Sequence, residues 1–220
     1  MQLSKLGDIE LVELWSKGNR EAGNRLVKRY YAEVTRYFMN AVDDDNRRDL
    51  TQRTFAELCK SYQRFKGDAS FRSYLFGISR NVLNAFLRER YRRREHFDPM
   101  VHTVEDAGQR TPSRAFSSLI RHEALVHCLR ALPVEHKQLL ELYYWHNLTA
   151  DELAVVFDVP APTIRTRVHN LKRRLKSKIA EHEPTLANVN IEQQLESIRR
   201  LLGFGPNAMD QRPPLGAPND

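Results

Sequence analysis

Polar side chains that can bond to DNA bases recur along one segment of the chain, residues 161–175. Arginine can form two hydrogen bonds with guanine, and asparagine can form two with adenine. The apolar residues of this segment recur at the spacing of one helix face, which leaves the polar residues on the rest of the circumference. The segment therefore predicts a helix with one buried side and one side that carries amide, hydroxyl and cationic groups. The polar candidates are Arg165, Thr166, Asn170 and Lys172.

The residues before this helix predict how it is positioned. Thr149 and Glu152 have the Thr-x-x-Glu spacing of a capping box, which starts a short helix. Pro160 ends that helix, because the residue before a proline is pushed out of helical geometry. Pro162 fits the first turn of the next helix, where its missing N–H leaves no hydrogen bond unmade. These features predict a helix-turn-helix, whose second helix lies in the major groove of DNA.

A second basic block ends another predicted helix, residues 73–95, with arginine at positions 88, 90, 92, 93 and 94. The helix dipole favours cations at a helix C-terminus, but too weakly to account for five. Contact with DNA phosphates explains the cluster better, because each neutralised phosphate releases counterions. The polar loop just before this helix, residues 64–70, predicts a pocket for an unpaired base. The aromatic residues nearby have helical spacing and are predicted to belong mostly to the core.

A solvated basic helix in an ordinary bundle would also explain these charges, and periodicity alone does not separate the two interpretations. The capping box, the turn and the second amphipathic helix occur together and in order. That combination favours DNA binding.

Composition narrows the class of protein. The formal net charge of +7 over 220 residues is consistent with a polyanionic partner. Cys59 and Cys128 lack CxxC spacing and are predicted to be reduced core thiols of a cytosolic protein. The chain has no apolar run near the ~18 residues that span a membrane and no secretory signal pattern. The sequence completes no metal-ligand or nucleophile–base set, either at His122 and His127 or in the run of aspartates at 43–45. The sequence therefore predicts neither an enzyme nor a metal or cofactor site.

Helical spacing runs through nearly the whole chain, and the fold class expected is all-α. We expect two small helical domains joined by a flexible linker, the C-terminal one containing the helix-turn-helix. Periodicity fails between residues 95 and 118, where Pro and Gly punctuate the chain. Beyond residue 183 the sequence fits one amphipathic helix followed by a disordered end, or a wholly disordered extension. The expected divisions are 1–94, 95–118, 119–182 and 183–220.

Two stretches resemble conserved regions of one protein family. The stretch "DLTQRTFAELCKSYQRFKGDASFRSYLFGISRNVLNAFLRERYRRR" resembles the second conserved region of bacterial sigma-70-type factors. The stretch "LRALPVEHKQLLELYYWHNLTADELAVVFDVPAPTIRTRVHNLKRRL" resembles their fourth region. The layout without a large middle domain is that of the extracytoplasmic-function (ECF) group. The resemblance covers about residues 10–180 and implies a non-catalytic subunit of bacterial RNA polymerase that directs promoter recognition and DNA opening.

The resemblance also implies roles for single positions. The residues implied to dock on the polymerase clamp are Asp49, Leu50, Gln52 and Phe55. The residues implied to contact and open the −10 promoter element are Lys66, Asp68, Ser70, Phe71, Arg80, Asn81, Asn84, Arg88 and Arg92. The residues implied to recognise the −35 element are Arg165, Thr166, Arg167, Asn170 and Lys172. The implied partners are core polymerase, through its clamp and flap, promoter DNA, and an anti-sigma protein as a further candidate. The implied location is cytoplasmic, without membrane insertion.

The chain departs from the family pattern at several positions. Arg53 stands where an acidic residue is frequent, Tyr74 where tryptophan is common, and Asp158 where the turn usually has glycine. Asn170 differs from the customary arginine at a DNA-facing position, so the family's promoter sequence does not carry over. The alternative function is an autonomous helix-turn-helix regulator, which would need a dimerisation or effector module. The clamp-like helix and the arginine-rich helix argue against that alternative.

Overall fold

Every regular element that the computed structural model describes is helical. The described residues are 3–90, 123–182, 184, 188 and 190–201. The N-terminal helices are α1 (Asp8–Ser16), α2 (Arg20–Met39), α3 (Asp44–Ser61) and α4 (Phe71–Arg90), with short 3-10 turns at Leu3–Lys5 and Tyr62–Arg64. The C-terminal helices are α5 (Glu123–Arg130), α6 (Val134–Leu140), a π-helical segment (Glu141–Trp145), α7 (Ala150–Phe157), α8 (Ala161–His182) and α9 (Ile191–Leu201). The all-α prediction is confirmed.

Side-chain caps start helices α2 and α3. Asn19 accepts a hydrogen bond from the backbone N–H of Ala22 at the start of α2. Asp43 accepts one from Asn46, 2.9 Å away, at the start of α3. Each cap satisfies a backbone donor that the helix itself leaves unpaired.

Helix α1 packs closely on α2 because residue 23 has no side chain. A Cβ atom at Gly23 would lie 2.6 Å from a ring carbon of Trp15. The other face of that indole stacks on Tyr62, with 3.8 Å between ring centroids. Trp15 thereby ties α1 to α2 and to the turn that precedes the loop 66–70.

The chain between Val134 and Trp145 forms one continuous helical stretch that widens from α to π geometry at Glu141. All five residues of the π-helical segment are buried. A five-residue run covers the whole circumference of a helix, so this segment is surrounded by other elements. The sequence predicted a single helix here and did not predict the π geometry.

The C-terminal extension contains an amphipathic helix, which was one of the two alternatives that its sequence left open. In α9, Ile191, Leu195 and Ile198 are at most 6% exposed and belong to the core. Helix α9 contacts both the π-helical segment and α8. The disorder expected for the chain end falls on residues 202–220, which lie outside the described residues.

Helices from the two ends of the chain also contact each other. Helix α4 packs against α7, and the buried apolar residues form one continuous cluster from Leu11 to Ile198. The linker expected at 95–118 and the divisions at 94 and 118 lie outside the described residues.

Candidate nucleic-acid interface

The capping box and the turn of the helix-turn-helix form as predicted. The hydroxyl of Thr149 accepts a hydrogen bond from the backbone N–H of Glu152 at 3.2 Å. The carboxylate of Glu152 accepts one from the backbone N–H of Thr149 at 2.9 Å. Helix α7 ends at Asp158, whose φ of 53° and ψ of 49° are left-handed. Aspartate adopts this conformation more readily than most residues, so it takes the place that glycine has in the family pattern.

Helix α8 buries the apolar stripe that its sequence predicted. The buried residues are Ile164, Val168, Leu171, Leu175 and Ile179. Thr166 and Asn170 are exposed, and the side chain of Arg165 is 40% exposed. These three side chains lie on the free side of the first three turns of α8, as a recognition helix requires.

The other two residues of the predicted −35 set form shorter ion pairs than the 3.5 Å pair of Arg165 with Asp151. The guanidinium of Arg167 donates to Glu135 at 3.0 Å. The ammonium of Lys172 donates to Glu192 of α9 at 2.7 Å. An acidic residue of the C-terminal extension therefore neutralises one cation of the recognition helix.

The loop before α4 is exposed at Lys66 and Asp68, and Gly67 between them has a φ of +82°. Ser70 begins α4, because its hydroxyl oxygen accepts a hydrogen bond from the backbone N–H of Ser73. Phe71, predicted to contact DNA, is 1% exposed and packs against Tyr30 and Phe65. The structure therefore places Phe71 in the core, where it supports the loop from beneath.

The predicted −10 residues on α4 fall into two groups. Asn81 and Arg88 are exposed. Arg80 and Asn84 are covered by C-terminal helices, with the side chain of Arg80 only 16% exposed and Asn84 only 7% exposed. Arg92 lies outside the described residues, so its role stays a prediction.

The predicted polymerase-docking residues on α3 also divide into exposed and buried. Gln52 is exposed, and Asp49 is half-buried and pairs with Arg53 one turn later at 2.7 Å. Leu50 and Phe55 are at most 8% exposed and belong to the core. Their side chains therefore hold α3 in place in the free chain, and their contact with the polymerase stays a prediction.

A partly buried ionic cluster that the sequence did not reveal lies between α2, α4 and the end of the π-helical segment. Arg72 donates to the carboxylate of Glu33 and to the backbone carbonyl of His146. Burial raises the pKa of Glu33, but hydrogen bonds from His146 and Arg72 outweigh burial and lower it to about 2. Burial lowers the pKa of the His146 imidazole, so the ring is neutral at pH 7. Residues as far apart as 72 and 146 meet here, and no local pattern announces such a contact.

A buried carboxyl group, that of Glu141, lies next to this cluster, 3.8 Å from the His146 ring. Burial raises its pKa to about 8, although a hydrogen bond from Asn40 opposes the rise. The two atoms Nδ2 of Asn40 and Oε2 of Glu141 are 3.1 Å apart. Burial therefore favours the protonated, uncharged form of Glu141.

Within the described residues, His, Cys, Asp and Glu do not gather into a group of three or more that could hold a metal ion. None of the described helices has the length and hydropathy needed to cross a membrane.

Two family models match the chain. Sigma-70 region 2 matches residues 26–94, which include α3 and α4. Sigma-70 region 4 matches residues 122–175, which include the helix-turn-helix. The two models together cover more than half of the chain and match it in the order that the motifs predicted.

Characterised relatives and a solved structure agree with those models. The ECF RNA polymerase sigma-E factor of Haemophilus influenzae is 26% identical over 182 residues, which cover 80% of this chain and 96% of that protein. The sigma-E factor of Escherichia coli K12 is 25% identical over 80% of this chain and 95% of that protein. The structure of CnrH in complex with the cytosolic domain of CnrY has a TM-score of 0.55 at 18% identity, over 80% of this chain and 98% of that one. The chain therefore belongs to the sigma-70 family, in its extracytoplasmic-function group of RNA polymerase sigma factors.

Proposed function

We propose that this sigma factor recognises its promoters with the first turns of α8 and with the surface formed by α4 and the loop before it. The observation that carries this proposal is the helix-turn-helix geometry. The capped helix α7 and the left-handed turn after it position α8 so that its apolar side is buried and its polar side faces solvent. Such a helix fits the major groove of B-DNA, which is wide enough to admit one helix.

The proposed −35 contacts are made by Arg165, Thr166 and Asn170. Arg165 suits a guanine, and Asn170, just over one turn later, suits an adenine. The hydroxyl of Thr166 donates to the backbone carbonyl of Pro162 at 3.1 Å. That bond leaves its methyl group and an oxygen lone pair for DNA.

The proposed −10 contacts come from exposed and covered groups together. Lys66, Asp68 and Asn81 are accessible, whereas Arg80 and Asn84 require movement of the C-terminal helices. An exposed polar loop beside a basic helix suits an unpaired base and the phosphates that flank it. We propose that Asp49 and Gln52 of α3 contact the polymerase, since both are polar and lie off the buried face of α3.

A subunit of this kind supplies sequence recognition, while the polymerase supplies catalysis. We propose that this chain has no catalytic activity of its own and works in the cytoplasm, where the polymerase and the promoters are.

Transcription in vitro with purified core polymerase and fragmented genomic template tests this function. Discrete start sites that appear only when this protein is added support it, and sequencing the transcripts gives the two promoter elements. An autonomous regulator would instead form a dimer in gel filtration, bind DNA without core polymerase, and produce no new start sites.

A further inference from the structure

The C-terminal extension forms a cleft with α8, beside the proposed recognition surface. One wall is the exposed side of α8, and the other is the start of α9 with the residues before it. The cleft contains about 940 Å³ of empty space that is open to solvent, which is room for a phosphate and the sugars on either side of it. Its lining includes three cations of α8 and an amide and a carboxylate of the extension: Lys172, Arg173, Lys176, Asn188 and Glu192.

Positive charge is in excess in this α8–α9 cleft. Arg173 and Lys176 are exposed, and no described acidic residue forms an ion pair with either of them. Lys172 differs, because its ammonium donates to Glu192 at 2.7 Å. The single carboxylate therefore compensates one of the three cations, and the two others suit a DNA phosphate.

The cleft lies where the DNA backbone passes when α8 occupies the major groove. Arg165, Lys172 and Lys176 recur at i, i+7 and i+11, so they follow one face of the helix. Arg173 lies about 12 Å beyond Arg165 along the axis, at 1.5 Å per residue. The major groove is also about 12 Å wide. A helix whose first turns touch base edges therefore brings residues 172–176 to the phosphates at the edge of that groove.

We propose that the α8–α9 cleft binds a phosphate of the DNA backbone beside the −35 element, and that Glu192 weakens this contact by holding Lys172. The inference depends on the proposed role of α8 in −35 recognition. It gives the C-terminal extension a part in promoter binding, as one wall of the cleft and as the source of Glu192. A phosphate contact carries no sequence information, so Glu192 limits the part of the affinity that every DNA sequence shares.

Binding of the reconstituted holoenzyme to promoter fragments at several salt concentrations tests the role of Glu192. The side chain of Glu192 is 62% exposed, and Glu192→Gln frees Lys172 for a phosphate. Because an exposed ion pair is a weak competitor, we expect the affinity to rise roughly threefold to fivefold, equally for all −35 variants. The slope of log affinity against log salt should steepen by about one.

Two further variants show whether this effect passes through Lys172. Glu192→Gln combined with Lys172→Met should return the affinity and the salt slope to their wild-type values. The control is Glu181→Gln, which makes the same charge change at an exposed residue of α8 that bonds to Ser177 outside the cleft. This control should leave the salt slope as in the wild type.

A charge placed in the other wall tests whether the extension borders the DNA. Asn188→Asp adds a carboxylate to the cleft and should weaken all −35 variants alike, by about fivefold, the upper size for one exposed charge acting on another. Gln193→Glu adds the same charge at an exposed position of α9 that does not line the cleft, and it should weaken binding much less. Thermal melts confirm that every variant remains folded.

If Glu192→Gln and Asn188→Asp both keep wild-type affinity and salt slope, while Arg165→Ala still alters the preference among −35 variants, the inference is wrong and the proposed function stands. An equal effect of Glu181→Gln also overturns the inference, because net charge alone then explains the change. If Arg165→Ala leaves the binding of every −35 variant unchanged, α8 does not meet the DNA there, and the inference fails together with the proposed function.

Discussion

Replacement of Arg165 by alanine tests whether α8 recognises base sequence or only supplies positive charge. Arg165 directly follows Ile164, which is fully buried, and its own side chain is 40% exposed on the first turns of the helix. In the free chain it lies 3.5 Å from Asp151, which is 78% exposed. An ion pair between exposed side chains contributes at most ~1 kcal/mol. Arg165→Ala should therefore change the melting temperature very little.

The effect on DNA recognition should be larger and specific to one base pair. Loss of two hydrogen bonds to a guanine costs about 1–3 kcal/mol, and only on promoters that have this base. The wild-type arginine must give up Asp151 to make those bonds, which offsets up to ~1 kcal/mol of the gain. The net loss should have a central value of about 1.5 kcal/mol, which is a factor of roughly 10 in affinity for the preferred −35 sequence.

The assay is competition between −35 variants for the reconstituted holoenzyme at several salt concentrations. The matched control is Arg173→Ala, which removes an exposed arginine two turns further along the same helix. Its loss should weaken all variants alike and reduce the slope of log affinity against log salt by about one, as expected for a phosphate contact. If Arg165→Ala also weakens every variant equally, α8 does not recognise bases through this residue.

Three further predictions test the docking surface, the packing and the pH dependence. Gln52→Ala should weaken binding to core polymerase, measured by pull-down, without a change in melting temperature. Leu50→Ala, at a fully buried site, should instead lower the free energy of unfolding by about 2–5 kcal/mol, which thermal melts detect. Gly23→Ala should lower the free energy of unfolding by about 1–3 kcal/mol, because its Cβ would collide with the Trp15 ring. At Gly77 a Cβ meets nothing within 4 Å, so Gly77→Ala should stabilise α4 by up to ~1 kcal/mol in the same melts. Burial raises the pKa of Glu141 to about 8, so the stability contributed by this group is complete below the unfolded pKa of 4.5 and is lost as the pH rises towards 8. Glu141→Gln should therefore raise the melting temperature at pH 8 and change it little at pH 5.

Features that depend on neighbouring residues were predictable from the sequence. The apolar stripe of α8, the Thr149 capping box and the amphipathic helix of the extension all form as their spacing predicted. Asp158 stands at the turn position where the family pattern has glycine, and its φ of 53° is left-handed, a conformation that aspartate tolerates better than most residues. These features involve residues at most four positions apart, where backbone geometry alone decides which groups meet.

Burial was harder to predict for residues whose type fits both a core and a binding surface. Leu50 and Phe71 were assigned to partners by their place in the family pattern, and both are core residues. Apolar side chains beside a binding surface commonly hold that surface in shape, so a motif position does not distinguish contact from support. The exposed neighbours Gln52 and Lys66 remain the better candidates for direct contact.

Glu135 shows why the contact between the two ends of the chain could not be predicted. An acidic residue in the first turn of a helix is favoured by the helix dipole, and α6 begins at Val134. That local rule explains a glutamate at this position completely, so the sequence offers no reason to look for a second role. Arg80 and Arg167 likewise fit a solvated basic surface when each is considered with its own helix. Only the fold brings Glu135 between two arginines that lie 55 and 32 positions away in the sequence. Its side chain is 11% exposed, and its carboxylate is the counter-ion of both arginines. A charge that is explained by its own helix and yet almost buried against two distant arginines is therefore a contact that no local sequence rule could predict.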